Sequence, residues 1–328
     1  MRTYISSCFP GILSVTVVTC LAFFMHDAGL SLGLGPLSIA VVLGMACRPL
    51  LPAESYREVG EVAMVHIFLR FGLVCLGATV SLADTSLIGP SGVLVVILCL
   101  SVTLLVTLWL GHRMGLDPRL AALIALGTSV CGASAIAAGR DVIKASPEHT
   151  ACAVTLVMVL GLFGMFALPV VSEWIGLSPS EAGLWCGVAL HEVAQAVAAS
   201  WQVGPEGGAS GTLAKLMRVM LLVPALFVVI FFHRKGEQET DVPFALPWFI
   251  VAFTVLCGLR TFDFLSEQFV DFMGFLGTVF LTAGMSALGL RTDLRHIHRL
   301  GVAPLVLGVV VWSGLVLFAL ALILLIVR

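Results

Sequence analysis

The chain has 328 residues, of which 59% are hydrophobic and only 11% are charged, whereas soluble domains carry about 25% charged residues. This composition excludes a soluble globular protein and indicates an integral membrane protein. The formal net charge of −2 gives no basis for a nucleic-acid partner. The nine cysteines contain no C-x-x-C pair, so the sequence predicts neither a disulfide framework nor a zinc knuckle.

Eleven apolar segments are long enough to be membrane-spanning helices, which need about 20 mostly apolar residues each. The loops between them are too short for a soluble domain, so we expect one integral membrane domain over residues 1–328. Membrane-spanning strands would give short segments of alternating polarity, and we therefore expect an all-α protein. Numbered one to eleven, the predicted spans are 9–25, 32–50, 62–82, 91–112, 119–139, 149–171, 182–201, 209–232, 244–260, 266–289 and 303–327.

Lysine and arginine in the loops predict a cytoplasmic N-terminus and an extracytoplasmic C-terminus, because cytoplasmic loops carry the excess of these residues. Ten fall in segments that this orientation places inside, and four fall outside: Arg140, Lys144, Arg260 and Arg328. Arg140 and Lys144 are exceptions that directly follow span five. We expect them to be either solvated loop charges or part of an extracytoplasmic mouth that attracts anions.

A short sequence echo links spans three and four with spans ten and eleven. Leu76-Gly77, Leu82 and Ile88-Gly89 recur at identical offsets as Leu288-Gly289, Leu294 and Leu300-Gly301. Seven spans separate the two copies, so they would run through the membrane in opposite directions, as in the inverted repeats of secondary transporters. Chance recurrence in a chain rich in leucine and glycine is the alternative.

Span five is rich in small and hydroxylic residues, with Gly-Thr-Ser-Val-Cys-Gly-Ala-Ser-Ala at 127–135. Such a sequence predicts a helix that unwinds midway and exposes backbone groups to a cavity. The N-terminus of its second half would bind an anion, with Ser129, Cys131, Gly132 and Ser134 as substrate-binding residues. Close helix packing through small residues is the alternative. Span ten ends in a similar sequence at 282–289, where a second interruption would fall.

Residues 191–195 read His-Glu-Val-Ala-Gln within an otherwise apolar run, at a depth where ionisable groups are costly and usually functional. The segment lacks the second histidine of the zinc-protease signature His-Glu-x-x-His, and Gln195 is a poor zinc ligand. On a continuous helix His191 and Gln195 would share a face. As a transport site, His191 and Glu192 would exchange protons and Gln195 would contact the substrate. A hydrogen-bonded trio that holds helices together is the alternative.

Three cations lie within predicted spans: Arg70 in span three, and Lys215 and Arg218 in span eight. A buried arginine needs a carboxylate, a carbonyl or an anionic ligand, and Glu192 is the internal candidate. Because cations outnumber carboxylates at membrane depth, we expect an anionic substrate. Arg70, Lys215 and Arg218 are the side chains expected to bind it.

Several of these segments together resemble the YeiH-type family of bacterial membrane proteins, whose members are often called sulfate exporters. The resemblance rests on Ser-Val-Cys-Gly-Ala-Ser-Ala at 129–135, His-Glu-Val-Ala-Gln at 191–195, Lys-Leu-Met-Arg-Val-Met at 215–220, Pro-Trp-Phe at 247–249 and Ser-Ala-Leu-Gly-Leu at 286–290. These segments stand in the expected order and cover nearly the whole chain.

The resemblance implies a bacterial inner-membrane protein of ten to eleven helices, related in fold to sodium/proton antiporter-like and bile-acid-symporter-like transporters. Such folds contain two discontinuous helices that cross at mid-membrane. One departure is Thr79-Val80, which replaces the more polar pattern that this family has in span three. A relative's substrate therefore does not carry over directly.

We expect a secondary active transporter that exports a small anion, such as an oxidised sulfur compound, and is coupled to protons. The alternatives are an intramembrane metal-dependent hydrolase that uses His-Glu-x-x-Gln, and an anion channel; an enzyme is not expected. The nucleotide-binding motif G-x-x-x-x-G-K-[ST] is missing, which argues against ATP-driven transport. The expected partners are a small anionic solute, membrane lipid and, in a homodimer, a second copy of the chain. We expect no nucleic acid, cofactor or metal.

Overall fold

The computed structural model describes residues 2–30, 35–48, 67–72, 74–79, 88–233, 248–291 and 301–328, and within these ranges the regular structure is helical, without strands. Residues 67–72 and 74–77 are helical. The other helices are, in chain order, α1 (Arg2–Asp27), α2 (Pro36–Cys47), α3 (Gly89–Arg113), α4 (Pro118–Ser129), α5 (Ala133–Ile143), α6 (Pro147–Ile175), α7 (Pro179–Ala189), α8 (Val193–Gln202), α9 (Pro205–Met220), α10 (Leu222–His233), α11 (Trp248–Thr261), α12 (Glu267–Arg291) and α13 (Val302–Leu322), which a π-helical turn extends over Ile323–Val327.

The chain forms two compact units. The first contains Met1–Ala83 and Pro247–Asp293, and the second contains Asp84–Leu246 and Leu294–Arg328. Each unit therefore combines an earlier and a later part of the sequence. The expectation of one domain over residues 1–328 stays a prediction.

In the first unit, α2 packs closely against α12 through glycines. A Cβ atom placed on Gly44 would lie 2.7 Å from the carbonyl oxygen of Ser286, and one placed on Gly289 would overlap the backbone of α2. Because these positions carry no side chain, the two backbones approach each other directly, as small residues allow in membrane helix packing.

The glycines near the end of α12 do not interrupt the helix. α12 is continuous from Glu267 to Arg291, so the interruption expected in span ten is not there. The glycines act in packing, which was the alternative explanation for such segments. The echo that predicts inverted repeats stays a prediction, because Leu82, Leu294 and Leu300 lie outside the described residues.

In the second unit, predicted span five is broken, and its two halves form a helical hairpin. α4 and α5 are separated by a turn at residues 130–132. A Cβ atom placed on Gly127 would lie 2.7 Å from Cδ1 of Ile136, although in a continuous helix these two residues would be about 13 Å apart. Gly139 likewise approaches the side chain of Leu126. The helix α5 therefore folds back along α4.

Predicted span seven is also broken, and α7 and α8 form a second hairpin with its turn at residues 190–192. The hydroxyl of Ser200 in α8 donates a hydrogen bond to the carbonyl of Gly183 in α7, at 3.4 Å. A Cβ atom placed on Gly207 of α9 would lie 2.8 Å from the carbonyl oxygen of Pro179 and 3.0 Å from that of Ser200. The beginning of α7 and the end of α8 therefore lie at the same end of the unit.

The two hairpins enter the unit from opposite ends. The 29-residue helix α6 connects the open end of the first hairpin to the open end of the second, and at 1.5 Å per residue it is about 43 Å long. The hairpin arms have only 10 to 12 residues each, or about 15 to 18 Å. Two opposed hairpins of this depth meet near the middle of a bilayer-thick layer.

Four helices in the described part of the chain are long and apolar enough to cross a membrane: Gly89–Arg113, Glu148–Ile175, Glu267–Leu290 and Val302–Val327. The bent pair Pro205–Met220 and Leu222–Phe232 adds a fifth if it forms one span. The count of eleven spans is not confirmed. Spans five and seven differ from the prediction because each is a hairpin of two half-length helices.

Candidate functional site

The candidate site lies where the turns of the two hairpins meet. We call residues 130–132 tip 1 and residues 190–192 tip 2. The C-termini of α4 and α7 and the N-termini of α5 and α8 all end at these two tips. Helix C-termini present unpaired carbonyls and partial negative charge, whereas N-termini present N–H groups and partial positive charge. The junction therefore concentrates uncompensated backbone groups of both kinds.

Lys215 of α9 connects the two tips. Its Nζ donates to the carbonyl oxygens of Val130 at 2.9 Å and Leu190 at 2.7 Å. The side chain is completely buried. An ammonium group has three donors, so these two bonds leave one N–H of Lys215 available.

Arg218, one turn further along α9, binds the C-termini of α4 and α7. Its Nε donates to Ser129 O at 2.9 Å and one terminal nitrogen donates to Thr128 O at 2.7 Å. The other terminal nitrogen donates to the carbonyls of Val188 and Leu190. The side chain is fully buried, and these four bonds leave one of its five N–H groups available.

The carboxylate of Glu192 in tip 2 binds the N-terminus of α5. Its Oε1 accepts a hydrogen bond from the backbone N–H of Ala133, at 2.5 Å. Gly132 makes room for this contact: it has a φ of 65°, and a Cβ atom there would lie 2.6 Å from Cδ of Glu192. The helix N-terminus at which the sequence predicts an anion site is present, and the carboxylate of Glu192 accepts a hydrogen bond from its Ala133 N–H; the anion site itself stays a prediction.

His191 and Gln195 do not share a helix face, because tip 2 is not helical. His191 is fully buried, and neither ring nitrogen has a hydrogen-bond partner in the described part of the chain. Its ring centre lies 6.2 Å from that of Trp312. Gln195 donates from Nε2 to Met158 O at 3.2 Å, while its Oε1 finds no partner among the described residues.

The polar side chains in and beside tip 1 form hydrogen bonds with nearby residues of the same hairpin. Cys131 Sγ lies 2.8 Å from Ser134 Oγ, which also donates to the carbonyl of Cys131 at 3.1 Å. The hydroxyl of Ser129 donates to Ala125 O at 2.6 Å. Ser129 therefore serves the junction through its backbone carbonyl, which binds Arg218, and not through its hydroxyl.

Arg70 is the one predicted site residue that lies in the first unit. It is exposed, and its guanidinium stacks on the ring of Phe249, 5.6 Å from the ring centre. The other nine predicted residues all lie in the second unit, at the tips or on helices that contact them.

The break in span seven and the backbone carbonyls that it exposes were not predicted from the sequence. One signal was available: α7 carries Gly183 and Gly187, and α9 carries Gly207 and Gly211 at the same spacing of four. A Cβ atom on Gly183 or Gly187 would overlap α9, so matched glycines identify the pair of helices that packs most closely here.

Within the described ranges, no three His, Cys, Asp or Glu side chains lie close enough together to hold a metal ion. The carboxylate of Glu192 binds a backbone N–H, and the adjacent imidazole of His191 lies beside the ring of Trp312.

Substitution of Gly132 by alanine is expected to destabilise the junction. Gly132 has φ of 65° and ψ of −129°, a backbone conformation that costs a residue with a Cβ atom about 1–3 kcal/mol, and the new methyl group would displace the carboxyl of Glu192. We expect a melting temperature in detergent several degrees below that of the unmodified protein. Gly314→Ala is the control, because a Cβ atom there meets nothing within 4 Å. Equal melting temperatures for both variants would contradict the contact between the tips.

A family model described as conserved hypothetical protein 698 matches residues 10–308 of the chain. A UPF0324 membrane protein of Wolinella succinogenes is 33% identical over 319 residues, which cover 94% of each chain. A UPF0324 membrane protein of Yersinia pestis is 31% identical over 95% of this chain and 91% of its own length.

The UPF0324 inner membrane protein YeiH of Salmonella typhimurium is 30% identical over 94% of this chain and 91% of its own length. No solved structure matches the chain. These relatives confirm the resemblance found in the sequence, and they confirm that the chain is a membrane protein.

Proposed function

The chain belongs to the conserved hypothetical protein 698 family, and we propose that it is a secondary active transporter of a small anion in the bacterial inner membrane. The substrate class that the chemistry favours is an oxidised sulfur compound or a similar oxyanion, whose movement is coupled to that of protons. The observation that carries the proposal is the junction of two opposed half-length hairpins around Lys215 and Arg218.

The hairpin architecture supports transport because it brings helix ends to the middle of the membrane. Irregular backbone at that depth is tolerated only where protein buries it or a cavity solvates it. Transporters bind substrate at such interrupted helices, where N–H groups and helix dipoles supply charge without side chains. Here tips 1 and 2 provide both kinds of helix terminus within one unit.

The charge balance supports an anionic substrate. Lys215 and Arg218 bring two cations to the junction, and Glu192 is the carboxylate that contacts it. Each cation keeps one N–H beyond its bonds to carbonyls. A small anion that bound both remaining N–H groups would balance the charge that the protein leaves uncompensated.

Proton coupling follows from the position of Glu192. Its carboxylate occupies the N-terminus of α5, where an oxyanion would also bind. When Glu192 takes up a proton it loses its charge and its strong attraction to the N–H of Ala133, and the substrate anion replaces it there. The anion and the proton then move together, and release of both restores the bond between the tips. His191, next in sequence, is the second titratable group of this step.

We further propose that the open end of the first hairpin is cytoplasmic. Four Lys and Arg residues lie at this end: Arg113, Arg119, Arg140 and Lys144. The opposite end carries three carboxylates among the described residues, those of Glu173, Glu181 and Glu206. Its described cation is Arg328, whose guanidinium donates to Gly176 O. By the positive-inside rule the end with the larger number of cations faces the cytoplasm.

The proposed orientation differs from the sequence-based one at a single loop. The sequence predicts Arg140 and Lys144 outside because a continuous span five would cross the membrane. The hairpin returns the chain to the end at which it began, so both residues lie on the same side as Arg119. The exceptions to the positive-inside rule at this loop disappear, and the C-terminus remains extracytoplasmic. The cytoplasmic N-terminus stays a proposal.

Cysteine labelling is expected to distinguish the hairpin from a crossing helix. In a variant without native cysteines, Lys144→Cys and Arg113→Cys should react with an impermeant maleimide only after the cells are permeabilised, because both positions are exposed on the cytoplasmic side. Glu206→Cys, exposed at the opposite end, should react in intact cells. Labelling of Lys144→Cys in intact cells together with Glu206→Cys would contradict the proposed topology.

Transport itself is tested in proteoliposomes with a panel of sulfur oxyanions, sulfonates and carboxylates, with and without a pH gradient. We expect at least one anion to accumulate only when a proton gradient is imposed. Flux that ignores the gradient would favour the anion channel over a coupled transporter. No flux above that of empty liposomes would overturn the proposal, and a stoichiometric metal with hydrolytic activity would favour the hydrolase.

A further inference from the structure

An apolar groove lies on the outer face of the second unit, between α3 and α10. Its volume is about 560 Å³, and its lining residues are Leu105, Phe227, Val228, Ile230, Phe231 and Phe232. The volume falls within the range of about 300–1,000 Å³ that is typical of small-molecule sites. The groove is distinct from the junction of the hairpin tips, and none of the residues assigned to transport lines it.

The α3 wall of the groove leads toward a cation at the end of the helix. Leu105, Trp109 and Arg113 are spaced four residues apart, so they follow one another along one face of α3. Trp109 is 58% exposed, and the guanidinium of Arg113 lies 5.4 Å from the centre of its ring. In the described part of the chain Arg113 has no carboxylate partner.

The order of these groups matches the polarity of a lipid. The helix rises about 12 Å from Leu105 to Arg113. Along this rise the aliphatic side chain of Leu105 is followed by the amphipathic indole of Trp109 and then by the guanidinium of Arg113. Tryptophan prefers the level of the lipid headgroups, and arginine prefers their phosphates. α10 ends at His233, one residue after Phe232, so the groove lies in the half of the unit that leads to this end.

We propose that this groove and Arg113 form a binding site for an anionic phospholipid, with one acyl chain between α3 and α10 and the phosphate at Arg113. An anionic lipid is favoured over a zwitterionic one because no carboxylate among the described residues pairs with Arg113 and because Arg119, Arg140 and Lys144 lie at the same end of the unit. Each basic residue near a membrane surface adds about 1 kcal/mol to the attraction of anionic lipid. The site does not depend on the transport proposal.

Native mass spectrometry of the purified, delipidated full chain tests the site. Phosphatidylglycerol and phosphatidylcholine with identical acyl chains are titrated separately. We expect the first phosphatidylglycerol to bind several-fold more tightly than phosphatidylcholine. Arg113→Gln should weaken that binding about fivefold, the value of one basic residue. Arg328→Gln, which removes an exposed cation at the opposite end of the unit, should leave it unchanged.

A second pair of variants tests the acyl-chain groove. Leu105→Trp fills the groove and should abolish the preference for the first phosphatidylglycerol. Leu94→Trp is the matched control, because Leu94 lies on the same helix with 45% exposure against 47% for Leu105. Equal affinity for the two lipids, or unchanged binding to Arg113→Gln and Leu105→Trp, would overturn the proposal. Cross-links that place a second copy of the chain over Leu105 would also overturn it.

Discussion

Replacement of Arg218 by methionine is expected to destabilise the protein by at least about 3 kcal/mol and to separate the two hairpin tips. The guanidinium donates to four buried carbonyls, those of Thr128 and Ser129 at the end of α4 and those of Val188 and Leu190 at the end of α7. Each buried acceptor left unpaired costs about 1–3 kcal/mol. The substitution also removes the positive charge that faces two helix C-termini.

Thermal unfolding in detergent, together with limited proteolysis at the tips, measures this effect. Arg113→Met is the matched control, since Arg113 is exposed and surface substitutions usually stay within about 0.5 kcal/mol. Arg218→Lys keeps the charge but lacks the planar fork of N–H donors with which arginine reaches carbonyls on both helices. Its melting temperature should therefore lie between those of Arg218→Met and Arg113→Met. If Arg218→Met melted like the unmodified protein while losing only anion binding, Arg218 would serve the substrate and not the hairpins.

The hydrogen-bond partners of Arg218 could be predicted from the sequence only in part. A buried arginine at membrane depth requires a carboxylate, a carbonyl or an anion, and the sequence left these open with Glu192 as the internal candidate. In the structure Arg218 bonds to carbonyls, and Glu192 binds an N–H of α5 instead. The carbonyls of Thr128 and Ser129 become available because span five breaks, as the sequence predicts. Those of Val188 and Leu190 become available because span seven breaks, which was not predicted.

Span five breaks because of a residue at the break itself, whereas the break in span seven depends on a residue far away in the sequence. At tip 1 the chain contains Gly132, whose φ of 65° few other residues adopt readily, so composition alone predicted the interruption. At tip 2 the residues are Leu190, His191 and Glu192, none of which breaks a helix by itself. The break there is held by a distant residue, Lys215, which binds the freed carbonyl of Leu190.

The folding back of each hairpin was not predictable from hydropathy. Residues 118–143 contain two helices of 12 and 11 residues, and their combined length equals that of one crossing helix. A window of about 20 apolar residues therefore fits both arrangements equally well. The distinguishing signal was electrostatic, because Arg140 and Lys144 break the positive-inside rule only if span five crosses the membrane. From the sequence they were interpreted instead as loop charges or as an extracytoplasmic mouth.

The two opposed hairpins present the same kinds of helix ends to the junction. Each tip brings one helix C-terminus and one N-terminus to the junction, while α9 supplies both cations. The C-termini are compensated by Lys215 and Arg218, and the N-terminus of α5 is compensated by Glu192. Of these compensating groups, Glu192 is the one that becomes neutral when it gains a proton, which makes it the proposed point of coupling.

Glu192→Gln is therefore expected to abolish proton-driven accumulation of the anion while anion exchange across the membrane continues. If one proton moves with each anion, a gradient of one pH unit supports about tenfold accumulation, and the variant should show none. Glutamine can still accept a hydrogen bond from Ala133 N–H, but it cannot exchange a proton. Because its neutral amide holds the N-terminus of α5 more weakly than a carboxylate does, the anion should bind the variant more tightly and independently of pH.

Counterflow and pH-driven uptake in the same proteoliposomes separate the two activities. Glu206→Gln is the control, since Glu206 is exposed in the first turn of α9 and should leave both activities unchanged. A melting temperature near that of the unmodified protein establishes that Glu192→Gln is folded. Uptake by the folded variant that still follows the pH gradient would show that the proton is carried elsewhere, and His191, buried beside it without a hydrogen-bond partner in the described chain, would then be the next residue to replace.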